Sequence, residues 1–204
     1  MRKILFRVDD AGLEHDRFLQ VMETFTSFDI PFAAGLIPVK EFPKVGKHEL
    51  VSFFQHGLKH ENRSLEAKKS EFPENVQLEQ CLHEISQGWQ LMKETNLPLW
   101  KAFCPPWNRM RPDLSLILEK EYFILGGKEL KSTNRSLPYH VDLHTKTPKP
   151  TLKETLLALD HEEQISVVML HHTFMDDIDF INLKTLLKNL KNENCYFINA
   201  KHDL

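Results

Sequence analysis

Ile4-Leu5-Phe6-Arg7-Val8-Asp9-Asp10-Ala11-Gly12 carries an apolar run straight into two adjacent acids and a glycine. A run this apolar, closed by a turn, predicts a strand over residues 3–8 that is buried on both faces, as in parallel sheets. Regular pleating would turn Asp9 and Asp10 to opposite faces, so that one acid can bind a cation while the other works as a base.

Outward from this stretch, short apolar runs alternate with helical patterns almost to the end of the chain. Further strands are expected at 32–37, 50–55, 101–104, 122–125, 140–143, 164–171 and 195–199, with helices at 16–28, 76–95, 112–120, 152–160 and 182–192. Leu78, Leu82, Ile85, Trp89 and Met92 fall at three-and-four spacing and mark one buried stripe, and Leu183, Leu186, Leu187 and Leu190 mark another. Alternating strands and helices imply βα units, hence an α/β fold with a parallel sheet or barrel, expected to span residues 1–204 as one domain. In such folds reactive groups collect where strands end at their C-terminal edge. Asp9, Asp10, His56, Pro105, Pro106, Trp107, His144, His171 and His172 all fall at or just past the end of an expected strand.

Composition narrows the function. The 204 residues are 41% hydrophobic and 27% charged, with a net charge of −3, and no basic block offers a surface for nucleic acid. Cys81, Cys104 and Cys195 are odd in number and show no C-x-x-C spacing, which argues against a disulfide framework and fits a reducing compartment. The opening apolar run is too short for a secretory signal, and no stretch approaches a membrane span. The expected address is the cytoplasm, with no membrane partner and a soluble substrate rather than a cell-wall polymer. Thr147-Pro148-Lys149-Pro150 is a stiff connector, too short to separate domains.

His56-Gly57-Leu58-Lys59-His60 follows the strand expected at 50–55. If the chain turns helical there, both imidazoles face one way and can grip a divalent ion, with Asp10 as third ligand from a neighbouring strand end. Taken alone, this H-x-x-x-H spacing more often marks two surface histidines; the Asp9-Asp10 pair is what favours a metal site. Two nitrogens and one oxygen leave coordination positions open, the pattern of a catalytic site, and suit zinc, or cobalt or nickel.

Four segments in order resemble the motifs of the polysaccharide deacetylases, carbohydrate esterases of the nodulation-protein type. They are Asp9-Asp10-Ala11-Gly12, His56-Gly57-Leu58-Lys59-His60, Phe103-Cys104-Pro105-Pro106-Trp107 and Val167-Val168-Met169-Leu170-His171-His172. The resemblance implies a distorted (β/α) barrel of about seven parallel strands. It also implies metal-dependent removal of an acetyl or other acyl group from an N-acylated sugar or a related small amide. Carried over to this chain, Asp10, His56 and His60 bind the metal, Asp9 is the general base, and His171, in preference to His172, is the general acid. The metal would acidify a water and polarise the amide carbonyl, with the backbone N–H of Trp107 assisting at the oxyanion. Pro106, Trp107 and Asn108 are expected to contact substrate; an aromatic wall for a sugar ring and a packed loop aromatic are both open to Trp107.

Departures from the family pattern matter. Cys104 stands where the family carries an arginine paired to the base; Arg7, on the same strand face as Asp9, is either its substitute or an ordinary strand-edge charge. Gly57 replaces the usual Ser or Thr, and Asp142-Leu143-His144 is a vestige of the family's Asp-Trp motif. These losses motivate an alternative, a non-catalytic carbohydrate- or metabolite-binding relative of the same fold; a metallohydrolase of another bond ranks last. Glu61-Asn62 could orient a ligand or cap a helix, Cys104 reads as a buried inert thiol, and Asp176, Asp177 and Asp179 read as a solvated loop.

Overall fold

β1 (Lys3–Ala11) is buried from Ile4 to its end, as its apolar sequence requires, and extends through both acids. The structure, a computed structural model, describes residues 1–40, 48–131, 133–145, 148–159 and 165–204. The expected element ends at Asp160 and Gln164, and Thr147 of the expected connector, lie outside the described residues. The chain continues through α1 (His15–Ser27), β2 (Phe32–Leu36), β3 (Val51–His56), α2 (Leu78–Lys93), β4 (Leu99–Cys104), α3 (Pro112–Leu118) and β5 (Phe123–Gly126). There follow β6 (Ser136–Pro138), β7 (Val141–Asp142), α4 (Leu152–Ala158), β8 (Ile165–His171), α5 (Asp177–Asn192), β9 (Tyr196–Phe197) and α6 (Ala200–Asp203).

The strands run in the order β6-β5-β4-β3-β2-β1-β8-β7, with β9 also against β1, and the strand pairings are parallel. This curved sheet with helices outside it is the expected distorted (β/α) barrel. Among the described residues it takes in nine strands, where about seven were expected. β6, three residues long, is too short to leave a periodic signal and has no counterpart among the expected strands, while β9 forms over only two residues of the strand expected at 195–199. No hydrogen-bonded pairing joins β6 to β7 among the described residues, so the barrel stays open between them.

Period-two alternation sorts the strand residues into an outer and an inner face. Ile4, Phe6 and Val8 face outward onto Phe18, Val21 and Phe25 of α1 and Leu183, Leu187 and Leu190 of α5. Leu5, Phe54, Trp100, Ala102 and Val167 form an inner apolar plug. One step further along the same inner rows come Arg7, Asp9, His56, Cys104, Met169 and His171. The bottom of the barrel is mainly apolar, with Ser52 bonded to Asn199 there, and burial of the plug holds the C-terminal strand ends where the chemistry-bearing groups gather.

Two helices depart from expectation. In α2 the deepest residues are Cys81, Ile85, Gly88 and Met92, and Leu78, Leu82 and Trp89 are only partly buried. The helix presses its Gly88 face against Gln55 of β3, where a Cβ would collide with Gln55 Nε2. α5 begins at Asp177 rather than near 182: Asp176 accepts from the Asp179 N–H at 2.9 Å, and Asp179 accepts from the Asp176 N–H at 2.9 Å. The acids read as a solvated loop are a capping box. Among the described residues no helix is long and apolar enough to cross a membrane.

Behind β7, His144 is buried beside Asp179, Lys149, His171 and Asp142, and burial first of all pushes its pKa down from 6.5 to about 4. A group depressed in this way stabilises the fold fully above pH 6.5 and loses that contribution as pH falls towards 4. The loss is at most about 3 kcal/mol. Urea unfolding at pH 7 and pH 4 should therefore show a smaller acid loss for His144→Gln than for the native chain; an equal loss in both would contradict this assignment.

Candidate metal centre and active site

The pleat of β1 breaks where the chemistry begins. Val8 pairs with Ala34 and Ala11 with Leu36, so Asp9 and Asp10 together stand against the single residue Gly35 of β2. This is a bulge, and Asp10 takes it up with a left-handed backbone, φ 66°. The expectation that the two acids face opposite environments is thereby corrected: the bulge turns both carboxylates to the same side, towards His56. They are kept apart by their partners instead of by the pleat.

Asp9 is engaged by Arg7. The guanidinium donates from Nε to Oδ1 at 2.7 Å and from Nη2 to Oδ2 at 2.5 Å, and both side chains are withdrawn from solvent. Nη2 also lies 2.8 Å from Cys104 Sγ and 2.7 Å from Asn108 Oδ1. Of the two readings open to Arg7, the one as a cation for Asp9 fits, and the small Cys104 leaves room for it. Burial alone would raise the Asp9 carboxyl, but the Arg7 charge holds it below the usual carboxylate range. Burial pushes the Cys104 thiol up; Asp9, His56 and Cys104 also lie close enough together to share an ion, but Arg7 Nη2 already stands against both Asp9 and Cys104.

Asp10 meets the histidines. Its Oδ1 lies 3.4 Å from His56 Nε2 and 3.2 Å from His60 Nε2, and ligand atoms of the three residues lie within 4.8 Å of one another. These short contacts do not have hydrogen-bond geometry, so Asp10 Oδ1 is buried without a donor. His56 Nδ1 is 3.1 Å from the Cys104 carbonyl, which can only accept. In the neutral ring the proton therefore sits on Nδ1, and the Nε2 lone pair faces Asp10. Two imidazole nitrogens and a carboxylate so arranged fit a divalent cation.

The loop that brings in His60 is not helical, contrary to expectation. Gly57 has φ +68° and His60 φ 59°, and the turn closes around Glu71. Buried Glu71 accepts backbone N–H groups from Leu58 (3.2 Å), Lys59 (2.7 Å) and His60 (3.2 Å). A Cβ at position 57 would strike Glu71 Oε2 and approach Pro106 Cγ to 2.6 Å, which explains glycine where the resemblance suggests Ser or Thr. Sequence reasoning missed Glu71, an isolated acid ahead of Phe72-Pro73 with no local pattern. The candidates Glu61 and Asn62 do not take this place; Asn62 Oδ1 instead accepts from the Ser64 and Ser70 N–H groups.

The remaining residues divide by position. Asp10, His56, His60, Trp107, Asn108, Met169 and His171 line a cleft of about 450 Å³. Trp107 and Asn108, φ 55° and 57°, form a 3-10 turn after β4, and the Trp107 ring lies 4.6 Å from that of His60. Asn108 faces inward, its Oδ1 to Arg7 and its Nδ2 to Met169 Sδ at 3.6 Å, while Pro106 is buried behind Gly57 and does not line the cleft. His171 Nε2 stands 3.6 Å from Asp9 Oδ2. His172 turns away: its Nε2 bonds the Leu13 carbonyl at 2.8 Å and its ring packs on Phe18 at 5.4 Å. Asp142 is occupied by the backbone N–H groups of His144 (3.2 Å) and Thr145 (3.0 Å) and by the Thr145 hydroxyl.

Glu71 sets the pose of His60 through main-chain contacts. Glu71→Gln replaces an acceptor oxygen with a donor facing N–H groups, and it should weaken zinc binding about 10- to 100-fold and destabilise the chain by about 2 kcal/mol. Competition with a chromophoric chelator and urea titration read the two effects; unchanged zinc affinity would show that His60 is posed by something else.

No protein-family model and no curated protein sequence matches the chain. Solved structures do. A family 4 acetyl xylan esterase from Clostridium thermocellum, in complex with a cobalt ion, superposes with TM-score 0.61 at 13% identity, over 97% of this chain and 87% of the other. A Streptococcus mutans family 4 carbohydrate esterase gives TM-score 0.65 at 13% identity, over 96% and 84%. A Bacillus anthracis pseudoenzyme of the same family gives 0.58 at 12%, over 97% of this chain and 64% of that longer one. At these identities the likeness is one of architecture: this chain has the fold of the family 4 carbohydrate esterases and peptidoglycan deacetylases.

Proposed function

We propose that the protein is a polysaccharide-deacetylase relative that hydrolyses the amide of an N-acylated sugar or a related small amide with the help of one divalent metal ion. The observation that carries this reading is the convergence of Asp10, His56 and His60 on one point, beside an Asp9 held separately by Arg7. Asp10, His56 and His60 would hold the ion; zinc suits the donor set, and cobalt or nickel would also fit. Bound there, the ion would supply an acidified water and a polarised acyl carbonyl.

The chain's own groups do the rest. Asp9 accepts the proton of the attacking water, and Arg7 keeps it ionised so that it is free to accept at neutral pH. As the water oxygen bonds to the acyl carbon, the carbon–nitrogen bond breaks and the departing amine needs a proton. His171, at the cleft wall and partly exposed, donates it. His172 is spent on Leu13 and cannot. Trp107 offers a ring face to the sugar, while Asn108 acts through Arg7 as a positioning residue. A second reading, a binding relative without chemistry, draws on Cys104 standing where the family carries arginine; it predicts metal uptake with no turnover.

Asp10→Ala and His60→Ala should each lose stoichiometric zinc by elemental analysis. Asp9→Asn should keep zinc and release acetate from N-acetylglucosamine oligomers about 10³-fold more slowly than the native chain. Full acetate release by Asp9→Asn would overturn its role as base, and zinc uptake without turnover by the native chain would favour the binding relative.

A further inference from the structure

The outer wall of the cleft carries positive charge that no carboxylate answers. Lys68, Lys69 and Arg109 all line it, and none has an ion-pair partner among the described residues. The acids lining the same cleft are Asp10, which belongs to the metal triad, and Asp142, which is committed to Thr145 and the main chain. The chain as a whole is net negative at −3, so the local excess runs against its overall charge.

These cations are not loosely arrayed. Lys69 Nζ sits over the Trp107 ring at 5.9 Å, and that ring is 4.6 Å from His60, so the ammonium lies one aromatic ring beyond a metal ligand. The loop carrying both lysines is pinned at each end. Arg63 donates to both Glu84 oxygens at 2.9 and 2.7 Å, and the Arg63 N–H bonds the Ser70 carbonyl at 2.9 Å. Ser70, next to Lys69, donates its hydroxyl to the Arg109 carbonyl at 3.0 Å, which locks the lysine loop to the segment after Trp107. Two segments distant in sequence therefore hold three exposed cations together at the rim of the cleft, beside the reacting centre.

We propose that the N-acylated substrate is anionic, with an oxyanion on the sugar unit adjoining the acylated one, and that Lys68, Lys69 and Arg109 receive it. This rests on the deacetylase reading and names its substrate class. A neutral oligomer would leave the three cations unused, whereas a carboxylate or sulfate one ring away from the acyl group reaches them while Trp107 covers the ring between.

The test uses zinc-loaded Asp9→Asn protein titrated calorimetrically with three tetrasaccharides: neutral N-acetylglucosamine tetramer, the same tetramer 6-O-sulfated, and hyaluronan tetrasaccharide, whose carboxylate lies on the adjoining ring. At least one charged ligand should bind about tenfold tighter than the neutral one, and which one does so distinguishes sulfate from carboxylate. Adding Lys68→Ala, Lys69→Ala and Arg109→Ala together should erase that advantage and leave neutral binding unchanged. The Ser70 contact uses the Arg109 backbone and survives these changes. Raising NaCl should erase the advantage too. Equal binding of charged and neutral ligands, or equal loss of both in the triple variant, overturns the proposal. Acetate release by the native chain separates the two readings. Release from neutral and charged ligands alike sinks only this proposal. Charged ligands that bind without releasing acetate sink the deacetylase reading and leave the cationic wall standing.

Discussion

A guanidinium shut away from solvent and joined at two points to a carboxylate two residues along the same strand is the contact on which the site depends. Burying either charge alone costs several kcal/mol, and the pair is tolerable because its geometry is bidentate and Nη2 finds further acceptors, although Nη1 is left without a partner among the described residues. Cys104 and Asn108 supply those acceptors, and Ala33 and Met169, which flank Arg7 in register on β2 and β8, bring no charge of their own. A larger or charged residue at position 104 would contest the space that Arg7 Nη2 fills. The pairing also divides labour between the two acids. With Asp9 anchored by Arg7, Asp10 is the carboxylate that meets His56 and His60.

Strain gathers around this division. Of the non-glycine residues with left-handed backbone, Asp10, His60, Trp107 and Asn108 line one cleft, and each such residue costs on the order of 1 kcal/mol. The cost is offset by contacts that would be lost on relaxation: the Glu71 clasp under His60, the Asn108 bond to Arg7, and the bulge that turns Asp10 towards His56. The rigid lower barrel, filled by Leu5, Phe54, Trp100 and Val167, gives these contacts something fixed to act against.

Much of this was readable in the chain. The apolar run from Ile4 to Val8 and the leucines of α5 are long enough for periodicity to report their burial, and strand-end placement brought Asp9, Asp10, His56 and His171 to one edge. Three features escaped. Pleat alternation sends Asp9 and Asp10 apart, and only the pairing of β1 with β2 reveals the bulge. Helical spacing offered a false route to bringing His56 and His60 together, since a clasp made by Glu71, distant in sequence, does what a helix was expected to do. The same blindness to tertiary context left Arg7 ambiguous, because a charge within an apolar run is identical in sequence whether it faces solvent or a buried carboxylate.

Anomalous diffraction from crystals soaked in cobalt or zinc tests the central claim most directly. The account predicts one ion per chain, ligated by His56 Nε2, His60 Nε2 and an Asp10 oxygen at about 2.0–2.2 Å, with Asp9 still on Arg7 and outside the coordination sphere. An ion bound by Asp9 instead of Asp10, or no ion between these histidines at saturating metal, would contradict it.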